Sequence, residues 1–194
     1  MLSAGLQSAD NSLVSFPSDA LWSPIEHLAA ARLWRPGAAE TRRVALSDPA
    51  ARIVTDFTRE PPITVTEDRP IDDALRDMMA AGVRALLVVR GDLVSGLITS
   101  YDIQGERPLQ FLQMSSYTRH DEIEVGRIMT PWDHIPKLDW SSLRAARVYD
   151  LLKVFRRLSA THLVVVERVE HDGAFVRALI SRTRLNRQLG TAIE

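Results

Sequence analysis

The sequence predicts an α+β fold made of two similar halves, each a small mixed sheet packed with helices. Three observations carry this. An apolar stretch, Leu86-Leu87-Val88-Val89, is followed by a Gly91-Asp92 turn and by a second strand that runs into Gly96-Leu97-Ile98-Thr99-Ser100-Tyr101-Asp102; the pattern returns as Leu163-Val164-Val165-Val166, a longer turn and Ala178-Leu179-Ile180-Ser181-Arg182-Thr183-Arg184. A helical period precedes each strand pair, and a short strand precedes each helix. The halves also keep register: Val148 against Ile71, Asp150 against Asp73, Leu152 against Leu75 and Val165 against Val88 all lie 77 apart. Ile135 against Ile63 gives 72 and Ser181 against Thr99 gives 82, so about five residues enter near residues 139–142 and another five in the 167–173 turn.

Taken in order, residues 1–44 form an N-terminal extension. Its start is rich in Ser, Ala, Asn and Asp, and one short helix is predicted over 21–34, opened by Ser23-Pro24 and carrying Trp22 and Trp34. The two tryptophans are expected to pack on the main domain or on a sister subunit. The first motif spans 45–105. Leu46, Ala50, Ile53, Val54 and Phe57 suggest a helix begun by Ser47-Asp48-Pro49, then a loop through Pro61-Pro62 and a strand over 63–66.

Pro70 sits in the first turn of the next helix, with Asp72 and Asp73 at its positive end. Ile71, Ala74, Leu75, Met78 and Met79 make one apolar face, and Gly82 stops the helix. Strands follow over 83–89 and 93–98. Residues 106–122 are a linker, ordered near Leu109, Phe111, Leu112 and Met114 and polar over 115–120. The second motif, 123–190, repeats the plan, with residues 135–138 as the counterpart of the first short strand.

Composition narrows the function. The 194 residues fit one domain of two halves, and the net charge of -1, with 24 basic against 25 acidic residues, gives no overall field for nucleic acid or an acidic membrane. Only a local Arg42-Arg43 or Arg156-Arg157 patch keeps nucleic acid in view. No apolar run is long enough to cross a bilayer and the N-terminus lacks a secretory pattern, so a cytoplasmic location and no membrane are expected. Cysteine is absent, which removes thiolate chemistry and cysteine-ligated metals. The histidines lack paired ligand spacing, and no nucleophile-serine, phosphate-loop or zinc-helix motif occurs. No catalytic or metal-binding residues are assigned, and an enzyme is not expected.

With these motifs in place, residues 46–189 resemble a tandem pair of cystathionine-beta-synthase-type (CBS) domains, the Bateman module. The resemblance rests on the repeated strand-helix-strand-strand order, the apolar strand before each turn, and residues 96–102, which are similar to the family signature of glycine, two aliphatics, Thr or Ser, two variable residues and Asp. It implies two motifs packed sheet to sheet with pseudo-twofold symmetry, two clefts able to hold AMP, ADP, ATP or S-adenosylmethionine, and a homodimer. It further implies that Thr99 and Asp102 hold a ribose, that groups from Thr58 to Ile63 and near Ala85 line the base pocket, and that Arg84 or an arginine of the other half faces phosphate.

The chemistry of the residues agrees. An ionised carboxylate accepts from both hydroxyls of a vicinal diol, and a hydroxyl donates and accepts. The plainer reading of Thr99 with Asp102 is a capping box on the following helix, and the two roles are compatible. In the second motif Ser181 keeps the hydroxyl but Arg184 replaces the carboxylate, and Ala178 replaces Gly96. One nucleotide site is therefore expected. His162, at the position of Ala85, precedes a buried strand and suits either a structural role or a purine contact. Arg184 suits either a solvent-facing or salt-bridged position or, with Arg182 and His162, an anion site.

The expected function is a regulatory or sensory module that binds an adenosine nucleotide between the motifs and signals by a conformational change to a separate effector protein or within an oligomer. The alternative is a structural protein-interaction or dimerisation module with a degenerate cleft.

Overall fold

The structure is a computed structural model and describes residues 43–171 and 173–190. The predicted helix over 21–34, with Trp22 and Trp34, lies outside them, as does Arg42.

A 3-10 turn, Ala50–Ile53, leads into a two-residue strand β1, Thr55–Asp56. The helix expected over 45–57 is therefore one turn and an edge strand; Asp56 and Thr55 take the vacant edge beside Ala178 and Leu179, a long-range pairing with no local signal. β2 (Thr64–Thr66), α1 (Ile71–Ala81), β3 (Ala85–Arg90) and β4 (Leu93–Thr99) then follow as predicted. β2 runs parallel to β3, which requires a crossover, and α1 supplies it. Gly82, at φ 66°, gives α1 its left-handed stop, and its N–H bonds the carbonyls of Met78 and Met79. Ile71, Ala74 and Met78 are buried on the sheet, the two larger side chains each contributing about 1.5–3 kcal/mol by leaving water. Met79 is 65% exposed, so the apolar face is narrower than its spacing suggests.

β4 passes directly into α2 (Ser100–Gln104), and α3 (Arg107–Met114) orders most of the linker. α4 (Val125–Ile128) and β5 (Thr130–Pro131) precede β6 (Lys137–Asp139). The first five-residue insertion has become α5 (Trp140–Ala145), capped by the Asp139 carboxylate, which accepts from the Ser141 N–H at 3.0 Å and the Ser142 N–H at 3.3 Å. α6 (Val148–Arg157), β7 (His162–Val169), β8 (Gly173–Ser181) and α7 (Arg182–Leu189) complete the second half, the second insertion lengthening the β7–β8 hairpin.

The repeat holds at the level of single bonds. Ala85 pairs with Thr99 and His162 with Ser181; the strand pairs slip register between Val88 and Val89 and again between Val165 and Val166. The Leu87 N–H donates to Ile63 O at 3.2 Å and the Val164 N–H to Pro136 O at 3.0 Å, while Ser100 N–H to Arg84 O and Arg182 N–H to Thr161 O form a second matched pair.

Each sheet borrows a strand from the other half. The orders are β2-β3-β4-β5 and β1-β8-β7-β6. The exchange extends to the cores: Ala50 and Ile53 lie with Phe155, Leu151 and Ile180, whereas Ile123, Val125 and Ile128 lie with Ile71, Met78 and Ile98. A third cluster, centred on Leu87, Leu97, Ile135 and Val164, joins the two sheets face to face. Arg177 on β8 fastens the borrowed β1, with Nε 3.1 Å from Asp56 Oδ1 and Nη1 2.8 Å from Glu167 Oε2, and stacks over Trp140. Burial raises the Asp56 pKa, but bonds from the Thr58 hydroxyl and amide and from Arg177 outweigh it and hold this carboxyl below its ordinary value.

Candidate functional site

The strand exchange explains where the clefts form. β5 pairs antiparallel with β4 through Gly96–Pro131 and Leu97–Thr130, so the start of β5, at Thr130, lies toward the end of β4, where Thr99 stands. The first cleft, of about 380 Å³, accordingly brings Thr99, Asp102 and Arg107 of the first half and linker together with His134, Pro136 and His162 of the second. Equally, β1 pairs antiparallel with β8, so the start of β1, at Thr55, lies toward the end of β8. The second cleft, of about 630 Å³, joins Ile63, Arg84 and Ala85 to Ser181, Arg184 and Arg187.

This corrects the sequence expectation that residues 58–63, Arg84 and Ala85 share a pocket with Thr99 and Asp102. Ala85 is the cross-strand partner of Thr99, yet it lines the other cleft, because each cleft is closed by the half that faces it. Thr58 lines neither; its hydroxyl and N–H both donate to Asp56 Oδ1, at 2.7 and 3.0 Å, and it ends the borrowed strand. His162 borders both clefts.

Thr99 and Asp102 form a full capping box on α2. Asp102 Oδ2 accepts from the Thr99 N–H at 2.8 Å and from its hydroxyl at 2.7 Å, and Thr99 Oγ1 accepts from the Asp102 N–H at 3.2 Å. Oδ1, which the capping box does not use, meets Arg107 Nη1 at 2.8 Å, and the side chain of Asp102 is 13% exposed. Arg107 also donates to Ile128 O and Thr130 Oγ1, which ties α3 to the segment that completes the cleft. Sequence reading missed Arg107. Its only signal is a guanidinium five residues after the signature carboxylate, and its approach depends on how α3 turns back on α2.

His162 is buried, and loss of hydration pushes its pKa down to about 4 although the Asp102 carboxylate opposes this. It is a neutral imidazole at pH 7, with Nδ1 3.0 Å from Thr161 Oγ1. A neutral ring walling both clefts offers a face for stacking and one nitrogen for a hydrogen bond.

In the second cleft Ser181 caps α7, its Oγ accepting from the Arg184 N–H at 3.4 Å. Arg184 Nη1 donates to Thr55 Oγ1 at 2.8 Å, and Nε is buried with no acceptor. Arg182 does not join it. Its guanidinium donates to the carbonyls of Phe155, Ala160 and Leu158 and lies over the Phe155 ring, so the expected Arg182–Arg184–His162 anion group is reduced by one member.

Among the described residues no cluster of three His, Asp or Glu side chains is placed to hold a metal ion, and no helix is long and apolar enough to cross a membrane.

Residues 54–107 match the family described as CBS domain. No curated protein matches the sequence. Among solved structures, the chain is similar to a conserved protein from Pyrococcus horikoshii (18% identity, TM-score 0.53, covering 78% of this chain and 98% of that one). It is also similar to a CBS domain structure (16% identity, TM-score 0.52, 74% and 99%) and to the CBS domain of a bacterial CNNM/CorC family Mg2+ transporter in complex with ATP (15% identity, TM-score 0.50, 79% and 92%). Residues 54–107 thus match a CBS domain, and the matched bonds of the two halves together with the likeness to these structures give residues 43–190 the fold of a CBS-domain pair.

Proposed function

We propose that this protein is a cytoplasmic sensor that binds an adenosine nucleotide in the first cleft and passes the resulting change in the packing of its halves to a partner protein or within a homodimer. The observation that carries the reading is the position of Asp102: a largely buried carboxylate, held by the Thr99 cap, at the wall of a cleft completed by the opposite half. A vicinal diol donating to Oδ1 adds hydrogen bonds that the cap leaves available. The neutral ring of His162 and the Pro136 edge supply apolar surface for a purine. Because a ligand there touches both halves, binding couples to the angle between them. Support from a relative comes from the transporter CBS domain, which was solved with ATP.

Calorimetry of the full chain against AMP, ADP, ATP and S-adenosylmethionine tests this. One saturable site per chain, weakened by about 1–3 kcal/mol in D102A, is expected. Equal affinity in wild type and D102A removes the site assignment.

The Arg107–Asp102 ion pair favours a second reading, a protein-interaction module whose cleft is no longer used, since the carboxylate is already satisfied. Absence of binding by all four ligands selects it.

A further inference from the structure

We propose that the outer face of α6 binds single-stranded nucleic acid, with Tyr149 as a stacking platform and Lys153, Arg156 and Arg157 as phosphate contacts. The helix is two-sided. Val148, Leu151, Leu152 and Phe155 are buried in the second core, while Tyr149, Lys153, Arg156 and Arg157 are all exposed. Residues 149, 153 and 156 follow i, i+4, i+7 spacing, so they stand in one stripe, flanked by Arg157 and about 12 Å long. Lys153 Nζ lies 4.7 Å from the centroid of the Tyr149 ring, which is 48% exposed. The Arg156–Arg157 patch of the sequence therefore continues into an aromatic surface. Guanidiniums there take backbone phosphates and a base stacks on the ring, the exposed lysine swinging to a phosphate as the base takes its place.

The charge on this face is uncommitted. Asp150 is ion-paired with Lys153 and Asp48 with Arg52, but among the described residues no carboxylate lies within 4.0 Å of Arg156 or Arg157. Nor does the fold need these arginines. They lie in the last turn of α6, where they complement the helix carbonyls, yet α1, the counterpart in the first half, ends with no basic residue. Its matching positions hold Asp72, Arg76, Met79 and Ala80. The asymmetry extends to the whole halves: residues 130–190 carry eleven Lys and Arg against six Asp and Glu, whereas residues 61–129 carry seven against eleven. The net charge of -1 thus conceals a basic half, toward which a polyanion is steered. A single strand suits the stripe better than a duplex or a bilayer, because the ring meets a splayed base and the four side chains include no aliphatic group to enter lipid.

Fluorescence anisotropy of the full chain with labelled oligo-dT and oligo-U strands, at several salt concentrations, tests the site. Saturable binding is expected, at least tenfold weaker in R156A/R157A, with the slope of log affinity against log salt reduced by about 1.4, or ~0.7 for each phosphate contact removed. Y149A is expected to weaken binding with the salt slope kept, and Y149F to bind as wild type does. R76A/R127A, which removes equal charge from exposed helical positions of the first half, is expected to leave binding unchanged. All of these side chains are exposed, so the variants report on folded protein. No saturable binding to either strand, equal loss in R76A/R127A and R156A/R157A, or wild-type affinity in Y149A overturns the site. Duplex DNA bound as tightly as the single strands, or arginine-dependent binding to phosphatidylserine vesicles in their place, also overturns it and assigns the face to a duplex or a membrane. The site stands on α6 and is independent of the first-cleft reading, which the AMP and D102A titrations decide.

Discussion

Arg107 Nη1 stands 2.8 Å from Asp102 Oδ1, on the one carboxylate oxygen that the α2 capping box does not use. The pair places a competitor for hydroxyls directly at the proposed ribose position, while the same guanidinium supplies positive charge beside any attached phosphate.

R107A therefore separates the two effects. Adenosine, which has a diol and no phosphate, is expected to bind the variant more tightly by up to about 1 kcal/mol, the scale of a partly exposed ion pair. AMP is expected to gain less or to bind more weakly. Parallel calorimetric titrations check this, and weaker adenosine binding in R107A would show that Arg107 organises the site instead of competing for it.

Capping and ligand binding at Asp102 also separate by substitution. D102A removes the acceptor for the Thr99 N–H and is expected to cost about 1 kcal/mol of stability. D102N keeps a carbonyl oxygen for the cap and is expected to retain most of that stability while losing the charge that pairs with Arg107. Urea unfolding of the three proteins gives the comparison, and equal loss in both variants would refute the cap as the stabilising element.

Gly96 is required by close approach and not by its backbone angle. A Cβ there would lie 2.6 Å from Met129 Sδ and 2.8 Å from Thr130 O, on the strand that β4 receives from the other half. G96A is expected to destabilise by about 1–3 kcal/mol and to loosen β5 first. Hydrogen exchange at residues 130–135 is the measurement, and unchanged protection there would contradict the argument.

His162 makes stability depend on pH. Its folded pKa of about 4 lies below the ordinary 6.5, so between these values the unfolded chain binds the proton more readily. Its stabilising contribution is complete above pH 6.5, declines as pH falls, and is fully lost near pH 4, a change of about 3 kcal/mol. Unfolding midpoints measured across that window should slope for wild type and flatten in H162A; the same slope in both would assign the effect elsewhere.

Sequence alone determined the repeat, and through it the paired strands, the α1 crossover with its Gly82 stop, and the matched positions of Thr99 with Ser181 and of Asp102 with Arg184. These follow from local period and from comparison of one half with the other, and the bond-for-bond match of Ala85–Thr99 with His162–Ser181 shows that the hairpin register was legible, whereas the short strands differ by one residue, Ile63 corresponding to Pro136 and not to Ile135. Tertiary structure alone decided which residues share a cleft. β1 and β5 are two residues long, too short to leave a periodic signal, and each pairs with the sheet of the opposite half. That exchange carries Ile63 away from Thr99 and toward Arg184, and it brings Pro136 and His162 to Asp102. The Arg107 contact is hidden for the same reason. A cleft wall is set by long-range packing, whose partners lie tens of residues apart, and no local pattern in the chain records them.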